Sequence, residues 1–439
     1  MKLTDHEKAM RDGAHGAAKA RAMNLLIRYG EALGAERLVE TDNVAGTWAV
    51  ANPILKDFAK SMDAVFSEFN LDSDEIVETP ATEAHSVQLI QGIDPASPEM
   101  CANTGDAAQS QQAGEKYFGK RGVAMMSTCT PYQVGNIPVF GEHCAWMESS
   151  AVVYCNGVLG ARTNTEGRES TGAASITKRI PYWGYHLDEN RLGTHHVEVD
   201  VEIDDIMDWG MLGYWLGYEV EEDIPVITGR HRKPGQVKLK HFGAAAASSG
   251  GVEMYHVPGT TPEARTLEEA FGSRKPVATL RYGDKERRAT YELLNSNASD
   301  PQLDFVMLGC PHNSLEQMDR IARALDGKSI SENCALWVFT PRALKLVSDA
   351  NGYTDIIEKA GGRVYVDTCP AISRQMPEGT KVVAVDSAKQ AHYLPAITGA
   401  QCWFGTVEDC IAGAITGQWQ GRLGQGQLGQ GQLGKGQPA

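Results

Sequence analysis

The chain is predicted to be an α/β protein whose mostly parallel sheets are covered by helices, and three observations support this. After residue 303, short apolar runs alternate with amphipathic segments, the pattern of parallel strands joined by helical crossovers. Hydrophobic residues make up 42% of the 439 residues, enough for large cores, which excludes wholesale disorder. Residues 122–200 are instead dense in Gly, Asn, Ser and Thr, which is typical of loops that converge on a site.

The charge balance excludes two classes of partner. Lys and Arg total 41 and Asp and Glu total 56, so the net charge is 41 − 56 = −15. Such a chain does not suit nucleic acid or an anionic membrane surface. No apolar run approaches the roughly 20 residues of a transmembrane helix, and Met1–Glu7 lacks the apolar stretch of a secretory signal. A cytoplasmic protein is expected.

Local signals place the individual elements. Thr4 with Glu7, and Ser314 with Gln317, have the spacing of a capping box and predict helix starts. A further helix is predicted over Ala343–Ala350. The apolar runs that predict strands are Phe305–Leu308, Leu336–Phe339, Val364–Val366 and Val382–Val385. In a parallel sheet with right-handed crossovers, sites lie at the carboxyl ends of such strands.

Three segments are predicted along the chain. Residues 1–299 form N-terminal α/β lobes, and residues 300–418 form a C-terminal α/β lobe. Residues 419–439 contain a five-residue Gly/Gln-rich repeat that cannot bury a core and is predicted to be disordered.

Three of the nine cysteines share one context. Cys129, Cys310 and Cys369 each follow an apolar, strand-like run and precede a proline by one or two residues. If the strands are parallel, all three thiols emerge near one sheet edge. The other six are expected to be core thiols: Cys101, Cys144, Cys155, Cys334, Cys402 and Cys410.

The residues alone leave the role of the three thiols open. Their separations along the chain match no zinc finger and no ferredoxin run. Buried structural thiols, zinc held by three cysteines and a water, and a [4Fe–4S] cluster with one open iron are the alternatives. An open iron would act as a Lewis acid on a substrate hydroxyl.

Several polar groups are candidates for binding or proton transfer. Lys389 follows the strand-like run Val382–Val385 and either holds a substrate carboxylate or is a solvated lysine at a helix start. His143 and His186 are either acid–base groups or satisfied loop histidines. The sequence contains no Walker loop, no GxGxxG after a strand, no nucleophile elbow and no HExxH, which argues against nucleotide-dependent and serine-hydrolase functions.

Collinear motifs over roughly residues 1–417 resemble the large subunit of the aconitase X family. These motifs are Met1–Thr4, Gly34–Leu38, Cys129–Asn136, Gly141–His143, Glu148–Ala151, Leu159–Gly167, His186–Arg191, Gly309–His312, Asp367–Cys369 and Asp386–Lys389. The resemblance implies an aconitase-like multi-lobe architecture and a hydro-lyase (dehydratase) that uses an iron–sulfur cluster at the carboxyl ends of strands. It also implies that Cys129, Cys310 and Cys369 are the cluster ligands. The Gly-Cys-Pro-His motif looks like the [4Fe–4S] type, with [2Fe–2S] as the alternative.

The resemblance also implies a substrate pocket. Its positions correspond to Gly46, Thr47, Trp48, Asn103, Thr104, Glu148, Ser149 and Lys389. A small swivelling-domain subunit supplies the serine base in the family, and no segment of this sequence resembles it, so a heterodimer is expected. Trp48 and Thr104 depart from the family pattern, with an indole in place of a small hydroxyl residue and threonine in place of proline.

Roles for the remaining residues follow from their chemistry. Lys389 and Arg162 are expected to hold a carboxylate or phosphate, and Asn164 and Ser149 to orient the substrate. His143 or His186 is expected to protonate the departing hydroxide.

The substrate expected first is cis-3-hydroxy-L-proline, because Trp48 and Thr104 weaken an assignment to phosphomevalonate, which comes second. An unassigned hydroxy acid is third. A zinc protein that uses the same cysteines, and a scaffold that has lost its activity, are the rivals from other classes.

Overall fold

The computed structural model describes most of the chain. The described residues are 1–46, 81–82, 84–87, 92–94, 96–97, 111–112, 115–116, 119–120, 122–124 and 126–423. The predicted pocket residues Thr47, Trp48, Asn103 and Thr104 lie outside them, as do Cys101 and the tail from residue 424.

The first part of the chain contains a small parallel sheet flanked by helices. Helix α1 begins at the predicted capping box, in which Thr4 and Glu7 exchange hydrogen bonds. The central sheet has the order β3-β2-β4 and is parallel throughout, and a second pair, β1 with β5, is antiparallel. The bounds are α1 Asp5–Arg11, α2 Ala17–Ala32, β1 Leu38–Glu40, β2 Asn43–Gly46, β3 Ala84–Val87, β4 Cys144–Trp146, α3 Ser149–Tyr154, α4 Arg168–Thr177 and β5 Arg179–Pro181.

The middle part is a three-stranded parallel sheet covered by a tight helix pair. The sheet has the order β7-β6-β8, and apolar residues alternate along β6 with polar ones, as the sequence predicts. Helices α5 and α6 approach closely because Gly213 lies directly against the backbone of Phe242, where a Cβ would overlap. The bounds are β6 His195–Ile203, α5 Ile206–Val220, β7 Pro225–His231, α6 Gln236–Ser249, α7 Leu267–Phe271, β8 Ala278–Tyr282 and α8 Asp284–Leu294.

The last part is the five-stranded parallel sheet that the sequence predicts. Its order is β11-β10-β9-β12-β13, and every neighbouring pair is parallel. Apolar clusters cover both faces of this sheet. The bounds are β9 Phe305–Leu308, α9 Leu315–Leu325, β10 Ala335–Thr340, α10 Arg342–Ala350, α11 Tyr353–Lys359, β11 Arg363–Val366, α12 Pro370–Ser373, β12 Val382–Val385, α13 Ala388–Thr398, β13 Gln401–Phe404 and α14 Val407–Thr416.

The α/β prediction with parallel sheets is therefore confirmed, and so is the capping box of Ser314 and Gln317 at the start of α9. The predicted boundary between residues 299 and 300 stays a prediction. Among the described residues, none of the helices is both long and apolar enough to cross a membrane.

Candidate cluster and substrate site

Two of the three cysteines leave the carboxyl edge of the five-stranded sheet. Cys310 follows β9 through Gly309, whose φ of 114° and close approach to the Phe339 carbonyl both require glycine. Cys369 follows β11 and occupies the N-cap position of α12. Lys389 leaves the same edge after β12, in the first turn of α13. Parallel strands thus bring three residues that are 20 to 79 positions apart in the chain to one edge of the sheet.

Cys129 reaches this edge by another route, and the prediction that a strand precedes it is wrong. Among the described residues between 122 and 130, only Ala124 makes an isolated bridge. Cys129 lies instead just before a short 3₁₀ turn at Pro131–Gln133. A loop carries its thiol to the sheet edge, where Cys129 Sγ accepts a hydrogen bond from the backbone N–H of His312 at 3.4 Å.

Hydrogen bonds of His312 link the three segments that carry the cysteines. Its Nε2 donates to the Thr368 carbonyl at 2.9 Å, and its Nδ1 lies 2.8 Å from the Thr128 hydroxyl. The ring therefore contacts the residue before Cys369 and the residue before Cys129, while its own backbone follows Cys310 by two positions. Sequence reasoning did not assign His312 a role, although its place in the Gly-Cys-Pro-His motif was a signal.

The three thiols perturb one another electrostatically. Burial raises the pKa of Cys310, and the neighbouring Cys369 and Cys129 raise it further, against the opposing charge of Lys389. Burial together with the charge of Cys129 raises the pKa of Cys369 to about 12. Burial acts in the same direction on Cys129, but His312 outweighs it and lowers the pKa of this thiol. Cys129 is thus the thiol of the three that ionises most readily.

The donor set suits a soft metal ion or an iron–sulfur cluster. Cys129, Cys310 and Cys369 are all free thiols, and Cys129 and Cys369 both act on the pKa of Cys310. Thiolates are the ligands that iron–sulfur clusters take. Three thiols close enough to influence one another are therefore compatible with such a cluster.

A partly buried ion pair lies beside the thiols. Lys389 Nζ donates to Glu148 Oε1 at 2.7 Å, and Ser149 Oγ lies 3.4 Å from the same nitrogen. Burial opposes charge on both partners, but their attraction prevails: it lowers the pKa of Glu148 and raises the pKa of Lys389, with a further contribution from Cys310. The structure therefore brings three of the predicted pocket residues to the thiols as a charged pair and a hydroxyl.

The strand register places Gly46, the last residue of β2, at the same sheet edge as Glu148. Ala45 of β2 faces Trp146 of β4, and the Met147 N–H donates to the Ala45 carbonyl at 3.0 Å. Because the two strands are parallel, Gly46 and Glu148 leave the same edge of the sheet. Gly46 also packs against Thr171 of α4, where a Cβ would overlap.

Four other predicted residues form a second group. His143 Nδ1 lies 3.0 Å from His186 Nδ1, and Arg162 donates to the His186 carbonyl at 2.9 Å and pairs with Asp188. Asn164 is close by: its side-chain oxygen accepts from the Tyr185 N–H at 2.9 Å. Burial, reinforced by Arg162, lowers the pKa of His143 to about 4, and burial also lowers the pKa of His186.

The two groups lie at opposite ends of β4. His143 precedes the strand and Glu148 follows it, so about 16 Å of extended chain separates them at roughly 3.3 Å per residue. The predicted site residues therefore fall into two clusters instead of one. Their catalytic roles stay predictions.

Most of the remaining cysteines are buried, as the core-thiol prediction requires. These are Cys144, Cys155, Cys334, Cys402 and Cys410.

Sequence reasoning also missed Lys240 of α6 and Gln133, which both donate to the His312 carbonyl. No local pattern marks either residue, because their contacts with His312 span 72 and 179 positions.

Three family models match the chain in order. They describe the aconitase X first domain over residues 1–189, the second domain over residues 193–292 and the third domain over residues 303–416.

Named relatives fall into two groups of dehydratases. The phosphomevalonate dehydratase large subunit of Methanocaldococcus jannaschii is 36% identical over 94% of this chain and 100% of that protein. The cis-3-hydroxy-L-proline dehydratase of Hypocrea jecorina is 31% identical over 96% of this chain and 70% of that protein. Among solved structures, aconitase X of Thermococcus kodakaraensis in its holo-form matches with a TM-score of 0.78 and 30% identity, over 94% of this chain and 100% of that one.

Proposed function

Since the chain belongs to the aconitase X family of dehydratases, we propose that it is the large, catalytic subunit of an iron–sulfur hydro-lyase that removes water from a small hydroxy acid. The observation that carries this proposal is the meeting of Cys129, Cys310 and Cys369 around His312, beside the Lys389–Glu148 pair. A group of mostly enclosed thiols next to a mostly enclosed cation is the combination that a metal-assisted elimination from a carboxylic acid needs.

The three cysteines would hold the cluster, for which we propose the [4Fe–4S] type with [2Fe–2S] as the alternative. When bound, such a cluster supplies a Lewis acid that polarises the carbon–oxygen bond of the leaving hydroxyl. The chain's own contribution is to present thiolates there. The backbone N–H groups of Ala371 and Ile372 favour the Cys369 thiolate, and His312 favours the Cys129 thiolate.

Lys389 is proposed to bind the substrate carboxylate. An ammonium group has three donors. Glu148 Oε1 accepts one of them at 2.7 Å and the Ser149 hydroxyl a second at 3.4 Å, so the third is available to a substrate. Glu148 keeps the cation charged and aimed, and the Ser149 hydroxyl lies within reach of the same ligand. Because the pair is mostly enclosed, its field is less screened than at the surface.

The charge pattern of this pair favours cis-3-hydroxy-L-proline as the first substrate. A zwitterionic amino acid can offer its carboxylate to Lys389 and its ammonium group to Glu148. Phosphomevalonate is the second candidate, because the relatives in which this chain covers 94% to 100% of the length are named phosphomevalonate dehydratase large subunits.

A second polypeptide is proposed to complete the site. Several relatives are named large subunits, and we propose a small partner subunit whose serine removes the proton from the carbon beside the leaving hydroxyl. Arg162, Asn164, His143 and His186 remain further proposed participants. His143 or His186 is the proposed donor to the departing hydroxide, a role that requires substrate binding to raise the pKa that burial lowers in the free protein.

The proposal is tested by anaerobic co-expression of this chain with a small-subunit partner. The complex is expected to contain iron and acid-labile sulfide and to eliminate water from cis-3-hydroxy-L-proline or, failing that, from phosphomevalonate. Replacing Cys310 with Ala should abolish turnover and not merely raise KM. A colourless, zinc-loaded protein, or a cluster-free C310A variant that keeps its rate, would overturn the proposal.

A further inference from the structure

Lys240 is a buried cation that takes no part in the proposed reaction. It lies on α6, is only 2% exposed, and donates from Nζ to the His312 carbonyl at 2.7 Å and to Gln317 Oε1 at 2.6 Å. Both acceptors are neutral. Among the described residues, no carboxylate lies within ion-pair distance of Lys240, although buried lysines are almost always paired with an anion.

The anionic groups that act on Lys240 include two of the proposed cluster ligands. Burial lowers the pKa of Lys240 to about 8, and the charges that oppose this fall come first from Cys129, then from Asp386 and Cys310. Lys389 differs in this respect, because Glu148 already balances its charge at 2.7 Å. Lys240 therefore has a positive charge that acts on Cys129 and Cys310 as well as on the Asp386 carboxylate.

Lys240 also lies at the point where the three family segments meet. The His312 carbonyl accepts from Lys240 and, at 3.1 Å, from Gln133 Nε2. The two donors come from the second and first matched segments, and the acceptor comes from the third. Displacement of Lys240 would remove one of the two side-chain hydrogen bonds to the carbonyl of His312, in the turn that carries Cys310.

We propose that Lys240 is a positioning residue for the cluster: its cation balances the negative charge of the three thiolates, and its hydrogen bonds hold the Cys310–His312 turn in place. This inference rests on the proposed function. A doubly positive iron–sulfur core with three thiolates has a net negative charge, and net charge and nearby hydrogen bonds set the potential and stability of such clusters.

The test compares three substitutions of Lys240 with a matched control on the same helix. Lys240→Met removes charge and hydrogen bonds, Lys240→Gln removes only the charge, and Lys240→Arg retains it. Lys238→Met is the control, since Lys238 pairs with Asp204 near the surface. The measurements on anaerobically prepared protein are iron and sulfide content, the rate of iron loss to a chelator, and the midpoint potential of the cluster.

Lys240→Met is expected to lose iron at least about tenfold faster than the unmodified protein, as is usual when a residue behind a metal ligand is removed. Lys240→Gln is expected to shift the midpoint potential to more negative values, because reduction adds negative charge that the cation would have offset. Lys240→Arg and Lys238→Met should behave like the unmodified protein.

Two results would overturn the inference, and they are distinguishable. If the unmodified protein holds an iron–sulfur cluster and folded Lys240→Gln has the same potential and the same rate of iron loss, the role of Lys240 is refuted and the proposed function stands. If the unmodified protein binds no iron–sulfur cluster, the proposed function fails and this inference fails with it.

Discussion

Lys389 and Glu148 are 241 positions apart in the chain, and their side chains form a 2.7 Å ion pair beside the proposed cluster ligands. Lys389 comes from the five-stranded sheet's carboxyl edge, and Glu148 from the carboxyl edge of the three-stranded sheet that contains β4. Side-chain exposures of 14% and 21% leave the pair accessible to a ligand but largely out of bulk water. The two sheets thus share one charged site.

We expect each half of this pair to depend on the other. Lys389→Met would leave a mostly buried carboxylate without its cation, and should lower the free energy of unfolding by about 2–3 kcal/mol, less than for a fully enclosed pair. Glu148→Gln should also destabilise, and the double variant should lose less than the sum of the two. Denaturant unfolding measures all three, and strict additivity would contradict the prediction.

Replacing Lys389 should impair turnover more strongly than it impairs the stability of the protein. If Lys389 binds the substrate carboxylate, Lys389→Met should lower kcat/KM by at least about a hundredfold, because an unpaired charge on the substrate is then buried. Steady-state kinetics of the two-subunit complex measure this. Lys345→Met, which removes an exposed i,i+4 pair with Asp349, is the control and should leave kcat/KM unchanged.

Three cysteines should matter for iron content and a fourth should not. Cys129→Ala, Cys310→Ala and Cys369→Ala are each expected to reduce bound iron and sulfide severely. Cys334 packs in the apolar cluster on the other side of the same sheet, so Cys334→Ala should keep the metal and cost about 1 kcal/mol in packing. Metal analysis of the purified variants decides this, and retention of the full iron content by any of the first three would contradict the ligand assignment.

Glu166 should make the stability of the protein fall as the pH rises. Burial raises the pKa of this carboxyl from 4.5 to about 7, and among the described residues neither oxygen makes a well-aligned hydrogen bond, although Ser170 and Tyr29 lie close enough to oppose the rise. Between pH 4.5 and 7 the unfolded chain has released the proton while the folded protein retains it. The contribution of Glu166 is therefore fully present below pH 4.5 and is lost as the pH passes through 7, by about 3 kcal/mol in total.

Glu166→Gln should remove this dependence. The variant is expected to gain stability relative to the unmodified protein across pH 4.5 to 7, with the difference constant above that window. Glu169→Gln, at a neighbouring half-exposed carboxylate, provides the control. Thermal unfolding at several pH values measures the effect, and parallel curves for the unmodified protein and Glu166→Gln would rule it out.

His143 and His186 should not change their protonation state between pH 5 and 8 in the free protein. Because burial lowers the pKa of His143 to about 4 and that of His186 as well, both rings are neutral above pH 5. His143→Gln should therefore leave any inflection of the pH–rate profile between pH 5 and 8 in place. If the variant moves or removes such an inflection, the histidines are charged participants and their low pKa values do not hold.

Much of the sheet that positions the site could be predicted from sequence. The runs Phe305–Leu308 and Val382–Val385 match β9 and β12 residue for residue. Their signal is local, since a buried parallel strand needs a continuous apolar run and a helix start needs a nearby cap. The placement of Cys310, Cys369 and Lys389 at one edge followed from that order, because parallel strands end on the same side.

The tertiary structure decided what no local pattern contains. Cys129 arrives on a loop without a preceding strand among its described neighbours, and only a contact with His312, 183 positions away, shows why it belongs with the other two thiols. Lys240 is an ordinary helix residue by its sequence context. Its burial beside Cys129 results from packing between segments distant in the chain. Periodicity reports which face of an element is buried, but the partner that the face meets depends on how the elements assemble, and that is determined only when the whole chain has folded.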